Sequence, residues 1–461
     1  MAGKMLSVKN KFNNETIRKI KETNLTDAKK ILDNALIAFK KNSMLPAFKR
    51  YDFLLNASEQ INKKQDELAR IIAMEAGKPI KYARKETKRA SFTIKSSGEE
   101  AKNIHGETVP LDVEPRGQDR FAYYIRVPIG PIFSITPFND PLNLVAHKIG
   151  PALAAGNSII NKPATLTPLS SLKLGEIIAE SGFPEYSFQN IIAGGGSEVT
   201  KFFLNSDFIK KVTFTGGIEA ADSLIKSAGP KKYSMELGSN SPVIICENSD
   251  WKNNISSIVD AAFESQGQNC IHAQRIIVQK NEYNEFVEEF IKSARKLKAG
   301  NPLDESTDIG PMISEGEAKR VEGWVDSAVD EGADILMGGK REGSIYFPTV
   351  LDKVNNKSMV WKNEAFGPIT IIKSFDDIDE ALNLANDTQY GLHAGIFTSE
   401  IKTVMKAIDV LDYGTILVND TSDFRIDTMP FGGMKKSGIG REGIRFSIEE
   451  MTEIKLVILK K

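Results

Sequence analysis

The chain has 461 residues, which is too long for one ordinary hydrophobic core, so we expect two or three domains. Its net charge of −1 and isoelectric point of about 6.5 exclude a strong overall attraction to nucleic acid or to an anionic membrane. The two cysteines, Cys246 and Cys270, form no C-x-x-C pair, which argues against a disulfide framework or a zinc site. We therefore expect a reducing compartment, the cytoplasm.

The N-terminal hundred residues are predicted to be mainly helical. The first fifty are rich in lysine, and interspersed acidic residues at helical spacing favour solvated helix faces over a transit peptide. Apolar side chains recur at steps of three and four from Asp27 to Lys41, which predicts an amphipathic helix, and helical patterns continue to about Gly98. No apolar run approaches the roughly 18 residues of a membrane span. The acidic residues in question are Glu15, Glu22, Asp27 and Asp33.

Short β-rich runs separated by helix-length segments follow, in two series. This alternation predicts βαβ units and two mostly parallel sheets, hence an α/β fold with two doubly wound domains that meet near residues 236–245. A helix is predicted near 285–298, and "EEMTEIKLVILKK" at the end predicts a strand with one apolar face. The predicted strands are "PIFSIT" (131–136), "NSIINK" (157–162), "QNIIAG" (189–194), "KVTFTG" (211–216), "SPVIICE" (241–247), "RIIVQ" (275–279), "ITIIKSF" (369–375), "GIFTS" (395–399) and "TILVN" (415–419).

Several common catalytic motifs are missing from the sequence. There is no G-x-x-x-x-G-K-[ST], G-x-G-x-x-G, H-E-x-x-H or G-x-S-x-G, and the four histidines are scattered singly. His272 lies two residues after Cys270, a spacing that does not share a helix face, so packing or a surface position is favoured. Cys246 lies inside a predicted strand and is interpreted as a small buried hydrophobe.

Glycines, amides and a carboxylate stand just beyond the predicted strands. Asn139 in "TPFNDP" offers an amide donor, Lys162 in "NKPATLTP" a cation, and "FTGG" a loop where backbone can approach a phosphate. Glu236 in "MELGSNSP" precedes the domain boundary, and Cys270 lies in "SQGQNCIHAQR". Taken singly, each feature has a structural explanation that is at least as good as a functional one. Their order along the chain is the informative observation.

In series, "TPFNDPLN", "NKPA", "FTGG", "MELGSNSP", "SQGQNC", "NEAFGP" and "MPFGGMKKSGIGRE" resemble the NAD(P)-dependent aldehyde dehydrogenase superfamily, from about Asp27 to the C-terminus. The resemblance implies that Cys270 attacks an aldehyde and that the Asn139 amide and the Cys270 N–H hold the oxyanion. It implies that Glu236 activates the water that hydrolyses the thioester. Relatives that transfer the acyl group to coenzyme A typically lack this carboxylate, so the free acid is the expected product.

The resemblance also assigns cofactor residues. Two departures from the family pattern bear on the cofactor: Thr165 stands where many NAD-preferring relatives have glutamate, and "FTGGIEAA" has Gly217 and Ala221 where serine and glycine are frequent. Without the glutamate, Lys162 is free to pair with a 2′-phosphate, so NADP should be tolerated beside NAD and is a candidate for the preferred cofactor. The implied cofactor residues are Lys162, Thr165, Gly216, Glu364, Phe366, Pro137 and Phe138.

The sequence leaves the aldehyde open. Arg425 in "SDFRIDTMPFGG" could bind a carboxylate, sulfonate or phosphate, or could be structural or lie at a subunit contact. Arg120 and Arg275 are poorer candidates. The overall similarity favours a small hydroxyaldehyde of the lactaldehyde type or an anionic semialdehyde. The alternatives are a non-phosphorylating glyceraldehyde-3-phosphate dehydrogenase type of activity, a redox-independent thiol esterase, and a non-catalytic protein that has kept the fold.

The resemblance implies a three-part architecture. Residues 1–238 would bind NAD(P), interrupted by an oligomerisation segment at about 110–128, and residues 239–449 would form the catalytic domain. Residues 450–461 would form an oligomerisation strand, so a homodimer or homotetramer is expected. The N-terminus is expected to lack the hairpin that many relatives have before their first helix.

Overall fold

The computed structural model describes residues 4–460, which form fifteen α-helices and twenty strands. The helices are α1 (Leu25–Asn42), α2 (Ala47–Lys63), α3 (Gln65–Ala76), α4 (Ile80–Ala101), α5 (Asn143–Ala154), α6 (Leu169–Glu180), α7 (Glu198–Asn205), α8 (Ile218–Ala228), α9 (Trp251–Phe263), α10 (Lys280–Ala294), α11 (Glu315–Asp330), α12 (Met359–Lys362), α13 (Ile378–Asn386), α14 (Ile401–Val410) and α15 (Ile444–Glu450). None of these helices is both long enough and apolar enough to cross a membrane.

The strands are β1 (Met5–Lys9), β2 (Thr16–Lys21), β3 (Thr108–Val109), β4 (Arg120–Pro128), β5 (Ile132–Ile135), β6 (Ile159–Lys162), β7 (Phe188–Asn190), β8 (Lys211–Thr215), β9 (Lys232–Glu236), β10 (Pro242–Ile245), β11 (Arg275–Gln279), β12 (Asp334–Met337), β13 (Arg341–Glu342), β14 (Ile345–Tyr346), β15 (Thr349–Asp352), β16 (Ile369–Phe375), β17 (His393–Phe397), β18 (Thr415–Val418), β19 (Gly438–Ile439) and β20 (Thr452–Lys460). All nine strands predicted for the two sheets are present, most within two residues of the predicted bounds. The strand predicted at 189–194 ends at Asn190, and the helix predicted at 285–298 is α10, which begins earlier.

Two large sheets carry the fold. The first has the order β19-β9-β8-β5-β6-β7, and all its neighbours are parallel except β19. The second has the order β12-β15-β16-β11-β10-β17-β18, and only β12 is antiparallel. Helices cover both faces of each sheet, which is why the buried strands are nearly continuous apolar runs. The predicted α/β class with parallel sheets is confirmed.

The N-terminal expectation was wrong. Residues 5–21 form an antiparallel hairpin, β1 with β2, instead of lacking one. Glu15 lies at the hairpin turn and Glu22 follows β2, so neither is on a helix face. The physical reason is the asparagine-rich turn: the Asn10 and Asn13 side chains accept backbone N–H groups two residues ahead.

The terminal strand β20 is confirmed, and it pairs along its whole length with β4 of the same chain, from Thr452 opposite Pro128 to Lys460 opposite Arg120. With β3 these strands make a three-stranded sheet in which β20 is an edge. Apolar side chains at Ile454, Leu456 and Ile458 are more than half exposed on one face of that edge.

Candidate active site

The carboxyl ends of the parallel strands of the first sheet meet at one edge, where loops carry polar groups past the sheet. They border a cavity of about 430 Å³ that also reaches the second sheet's loops. All the site residues proposed from the sequence line this cavity, namely Cys270, Glu236, Asn139, Lys162, Thr165, Gly216, Glu364, Phe366, Pro137, Phe138 and Arg425.

Cys270 is presented by a sharply turned segment. Ser265, Gln266 and Gly267 are consecutive residues in the left-handed region, with φ of 54°, 58° and 63°. A Cβ at Gly267 would lie 2.1 Å from the carbonyl oxygen of Gly367, so this close approach requires glycine. The Gln266 amide holds the turn by donating at 2.8 Å to two carbonyl oxygens, those of Gly77 and Pro311. The amides around the cysteine therefore stabilise a strained loop.

The Cys270 thiol is half-buried and faces the cavity. Burial raises the pKa of this thiol, nearby Glu364 and Glu236 raise it further, and Arg425 opposes them. The thiol is therefore protonated at neutral pH in this arrangement. To act as a nucleophile it must lose its proton to a base or gain stabilisation of its thiolate from a bound cation.

Glu236 ends β9 and is only 3% exposed. Within residues 4–460 neither of its carboxyl oxygens has a hydrogen-bond partner. Burial raises its pKa well above the usual range, and the charge of Glu442 adds to the effect. A buried, unbonded carboxyl with a raised pKa can take a proton from water or a thiol near neutral pH.

Glu442 and Lys148 were not predicted as site residues. The Lys148 ammonium donates to Glu442 Oε1 at 2.8 Å and to the Thr213 hydroxyl at 3.1 Å, and both charged side chains are almost completely buried. Burial on its own raises the pKa of Glu442, but Lys148 and Arg425 outweigh it and lower the pKa to about 2, so Glu442 stays ionised beside Glu236. Two signals could have pointed to them: a lysine in the mainly apolar helix α5, and the glutamate in "GIGRE".

Asn139 lies in the loop after β5 and lines the cavity, and its side-chain amide has no hydrogen-bond partner in the part of the chain that the structure describes. The next residue, Asp140, is anchored by an ion pair with Lys78 and by Arg89 at 3.4 Å. The loop is thus fixed while the amide stays available as a donor. The backbone N–H of Cys270, the second proposed oxyanion donor, is likewise unbonded among the described residues.

Cationic and backbone donors occupy the far end of the cavity. Lys162 is 5% exposed, burial lowers its pKa to about 8, and no described carboxylate lies within ion-pair distance of it. Gly217 caps α8 with no side-chain hydrogen bond, and a Cβ there would meet only open space. By contrast, a Cβ at Gly216 would lie 2.4 Å from the Phe214 ring. A buried free ammonium and an open helix N-terminus suit the phosphates of a dinucleotide.

Glu364 and Phe366 line the same cavity. The Glu364 carboxylate accepts the Ser239 N–H at 3.0 Å, and burial raises its pKa to about 7. Phe366 meets Phe138 edge to face, with ring centroids 5.6 Å apart. An acceptor beside an aromatic wall suits a ribose and a flat ring, so the donor set fits a nicotinamide dinucleotide along the whole cavity.

Arg425 is 7% exposed beside Cys270. Its guanidinium stacks 3.6 Å over the Phe431 ring, and one nitrogen lies 3.4 Å from Glu442 Oε2. Its Nε has no partner among residues 4–460. Arg425 therefore lies at the cavity, and its positive charge is close to the Glu442 carboxylate.

The residues that the sequence did not favour for the site lie outside the cavity lining. Arg275 is fully buried and donates to the carbonyl oxygens of Asn240, Leu384 and Ala385. His272 is buried and burial lowers its pKa to about 4, while burial raises the pKa of the Cys246 thiol to about 11. Arg120 lies exposed on β4, away from the cavity.

The sequence profile described as "Aldehyde dehydrogenase family" matches residues 1–457. The chain belongs to this family. The match starts at the first residue and not near Asp27, in keeping with the N-terminal hairpin. As an aldehyde dehydrogenase the enzyme oxidises aldehydes with NAD(P), which confirms the activity and the cofactor class predicted from the motifs.

Similar proteins share nearly the whole chain. A 3-sulfolactaldehyde dehydrogenase of Priestia aryabhattai is 44% identical over 454 residues, 98% of this chain and 94% of that protein. A lactaldehyde dehydrogenase of Methanocaldococcus jannaschii is 39% identical, covering 99% and 97%. Among solved structures, aldehyde dehydrogenase 21 of Physcomitrella patens with succinate has a TM-score of 0.97 at 37% identity, covering 99% and 95%. The glyceraldehyde-3-phosphate dehydrogenase GapN of M. jannaschii with NADP has a TM-score of 0.95 at 38% identity, covering 99% of each chain.

Proposed function

We propose that this aldehyde dehydrogenase converts a small hydroxyaldehyde into its free carboxylic acid through a thioester on Cys270, hydrolysed by water that Glu236 activates. The observation that carries the proposal is the meeting of three reactive groups in one cavity: the Cys270 thiol, the Asn139 amide and the Glu236 carboxyl. The two Glu236 oxygens are buried without a hydrogen-bond partner within residues 4–460, and packing alone gives no reason for a carboxyl to be placed so.

The first step is addition of the thiol to the carbonyl. The Cys270 sulfur bonds to the carbonyl carbon, its proton is released to solvent, and the carbonyl oxygen becomes an oxyanion. The Asn139 amide and the Cys270 N–H donate to this oxygen, and each such donor contributes about 3 kcal/mol in comparable acyl chemistry. Glu364 and Phe366 would hold the nicotinamide of a bound cofactor, which would supply the hydride acceptor for the adduct.

The second step is hydrolysis of the thioester. Glu236 takes a proton from water as the oxygen attacks the acyl carbon, the C–S bond breaks, and the Cys270 sulfur recovers a proton. Glu442 supports this role because its fixed negative charge raises the pKa of Glu236 toward the working pH. The buried Lys148 in turn keeps Glu442 ionised. Retention of the carboxylate at Glu236 favours the free acid over coenzyme A transfer.

For the cofactor we propose that NADP is accepted at least as well as NAD. Lys162 and Thr165 would meet the adenine ribose and a 2′-phosphate, Gly216 and Gly217 the pyrophosphate, and Glu364 with Phe366 the nicotinamide ribose and ring. Support comes from the Lys162 ammonium, which has no carboxylate partner within residues 4–460. The similar GapN structure contains NADP.

For the substrate, the hydroxyaldehyde proposal is supported by the lactaldehyde and 3-sulfolactaldehyde dehydrogenases among the relatives. Arg425 would donate to the polar end of the substrate from beside Cys270. A second candidate is an anionic semialdehyde, or glyceraldehyde 3-phosphate, for which Arg425 would bind the charged group. The moss enzyme contains succinate, and a relative from Pseudomonas canavaninivorans is named for aspartate semialdehyde.

We also propose the domain division stated above, with residues 1–238 binding NAD(P), 239–449 catalytic and 450–461 joining the segment near 110–128 in oligomerisation. The exposed apolar side chains on the edge strand β20 support a homodimer or homotetramer. A reducing compartment, the cytoplasm, is supported by two cysteines that are both free.

The test is an aldehyde panel with NADP and with NAD, following formation of the reduced nicotinamide. It includes lactaldehyde, glycolaldehyde, glyceraldehyde 3-phosphate, succinate semialdehyde and a sulfonated analogue. The proposal expects the free acid as product, without a requirement for coenzyme A, and the highest kcat/KM with a hydroxyaldehyde. Ester hydrolysis at the same rate with and without nicotinamide, and no aldehyde oxidation, would instead identify a thiol esterase.

A further inference from the structure

A second cavity, of about 410 Å³, reaches Cys270 from another side. It shares Asn139, Leu144, Cys270 and Arg425 with the first cavity, but none of the residues proposed to hold the dinucleotide lines it. If the proposed function holds, the second cavity is therefore the route by which the aldehyde reaches the thiol. Every substrate then passes the charged side chains that line this cavity.

Carboxylates outnumber cations along this route. The three cations each have a carboxylate partner: Lys85 lies 3.0 Å from Glu264, Arg89 lies 2.7 Å from Asp427, and Arg425 lies 3.4 Å from Glu442. Three lining carboxylates, in contrast, have no cation within 4 Å in the described part of the chain, and these are Asp260, Asp420 and Asp423. The route therefore carries an excess of negative charge.

Arg425 does not reverse this balance. Its guanidinium shares the Glu442 carboxylate with Lys148, and the Asp140 carboxylate lies close enough for the arginine to lower the pKa of that group. The buried Nε of Arg425 has no hydrogen-bond partner within residues 4–460. This side chain is 7% exposed and lies beside Cys270. A donor of this kind is suited to a hydroxyl or carbonyl oxygen of a ligand, since a further anion would meet the surrounding carboxylates.

We propose that Asp260, Asp420 and Asp423 make the route to Cys270 selective against negatively charged aldehydes, so that the substrate is an uncharged hydroxyaldehyde. A cleft lined by one sign of charge changes the local concentration of charged ligands about tenfold or more at low ionic strength. Burial, with a contribution from Glu264, raises the pKa of Asp423 to about 6, so this carboxylate is charged above neutral pH. This inference narrows the proposed function by excluding its anionic candidates.

The experiment measures access to Cys270 without requiring turnover. A Cys246→Ala variant of the full chain leaves Cys270 as the only thiol, and it is alkylated by iodoacetamide, which is neutral, and by iodoacetate, which is anionic. Saturating NADP occupies the first cavity in both reactions, so the reagents reach Cys270 through the second cavity. The ratio of the two rates is divided by the ratio for a small free thiol under the same conditions. We expect a normalised preference for iodoacetamide of roughly tenfold at low salt, falling toward one as salt screens the carboxylates.

Matched variants test which carboxylates cause the preference for iodoacetamide. Asp260→Asn combined with Asp420→Asn should lower the normalised preference severalfold. Asp409→Asn, an exposed aspartate that lines neither cavity, should leave it unchanged. A normalised ratio near one at low salt, or the same ratio in all variants, overturns the inference. Because alkylation needs no aldehyde and no turnover, an enzyme inactive on every aldehyde of the panel would contradict the proposed function separately.

Discussion

Replacing Glu442 by glutamine removes one charge from a buried pair while nearly preserving its shape. In the native protein, Lys148 Nζ lies 2.8 Å from Glu442 Oε1, and the two side chains are 1% and 3% exposed. Breaking such a pair by neutralising one partner costs about 3 to 5 kcal/mol, because the other charge stays buried. The Thr213 hydroxyl at 3.1 Å still accepts from the ammonium, so we expect a loss near the lower end, about 3 kcal/mol.

The same substitution should shift catalysis along the pH axis. Glu442 is the largest charge that raises the pKa of Glu236, so its removal makes Glu236 easier to deprotonate. A general base is active when deprotonated, and the rate therefore rises with pH through its pKa. In Glu442→Gln this rise in kcat should move to lower pH.

Two assays check these effects together. Urea unfolding followed by tryptophan fluorescence gives the change in stability, and kcat against pH at saturating substrate gives the shift of the base. The control is Glu449→Gln, since Glu449 makes a surface pair with Arg445 at 2.9 Å and should change neither reading appreciably. Unchanged unfolding, or a rise in kcat displaced to higher pH, would refute the reasoning.

Three further predictions concern the reaction and its specificity. Cys270→Ala should lower aldehyde oxidation at least about a thousandfold without loss of cofactor binding, and turnover of a few per cent would contradict the nucleophile assignment. Thr165→Glu should shift the ratio of kcat/KM values toward NAD by roughly tenfold, because a carboxylate beside Lys162 repels the 2′-phosphate; a constant ratio would count against this contact. Arg425→Ala should raise KM for lactaldehyde about tenfold relative to propanal, which lacks the hydroxyl, and equal effects on both would make the arginine structural.

The positions of the site residues could be predicted because they depend on local rules. Asn139, Lys162 and Gly216 follow strands that the sequence marks as short apolar runs. In a parallel sheet the carboxyl ends of such strands necessarily meet at one edge. The order of the motifs along the chain indicates which reaction the site performs. Cys270 alone gives no reason to prefer a catalytic nucleophile to a packed thiol.

The parts that could not be predicted depend on contacts between distant segments. Lys148 and Glu442 are 294 positions apart, and nothing local in "HKIGPAL" or "GIGRE" shows that these two charges share one buried space. The acidic residues along the route to Cys270 are similarly dispersed. Asp260 lies within α9, whereas Asp420 lies two residues after the end of β18. Tertiary packing decides which charges meet, and a one-dimensional pattern carries little of that information.

Local misreadings have a different cause. The sequence of the β1–β2 hairpin predicts a helix, because its lysines and acidic residues have the spacing of a solvated helix face. Strand β9, "KYSME", was missed although Glu236 ends it, because two polar residues and one lysine among five obscure its buried face. Only its neighbours β8 and β19 show that it belongs to the sheet.

The central claim is that the reaction passes through an acyl group on the Cys270 sulfur that Glu236 removes. Glu236→Gln mixed with NADP and lactaldehyde tests it most directly, by rapid acid quench, intact mass and peptide mapping. We predict one acyl group per chain on the peptide that contains Cys270, with one equivalent of NADPH formed in a burst and slow turnover afterwards. Steady turnover at the wild-type rate with no acylated peptide would contradict the claim.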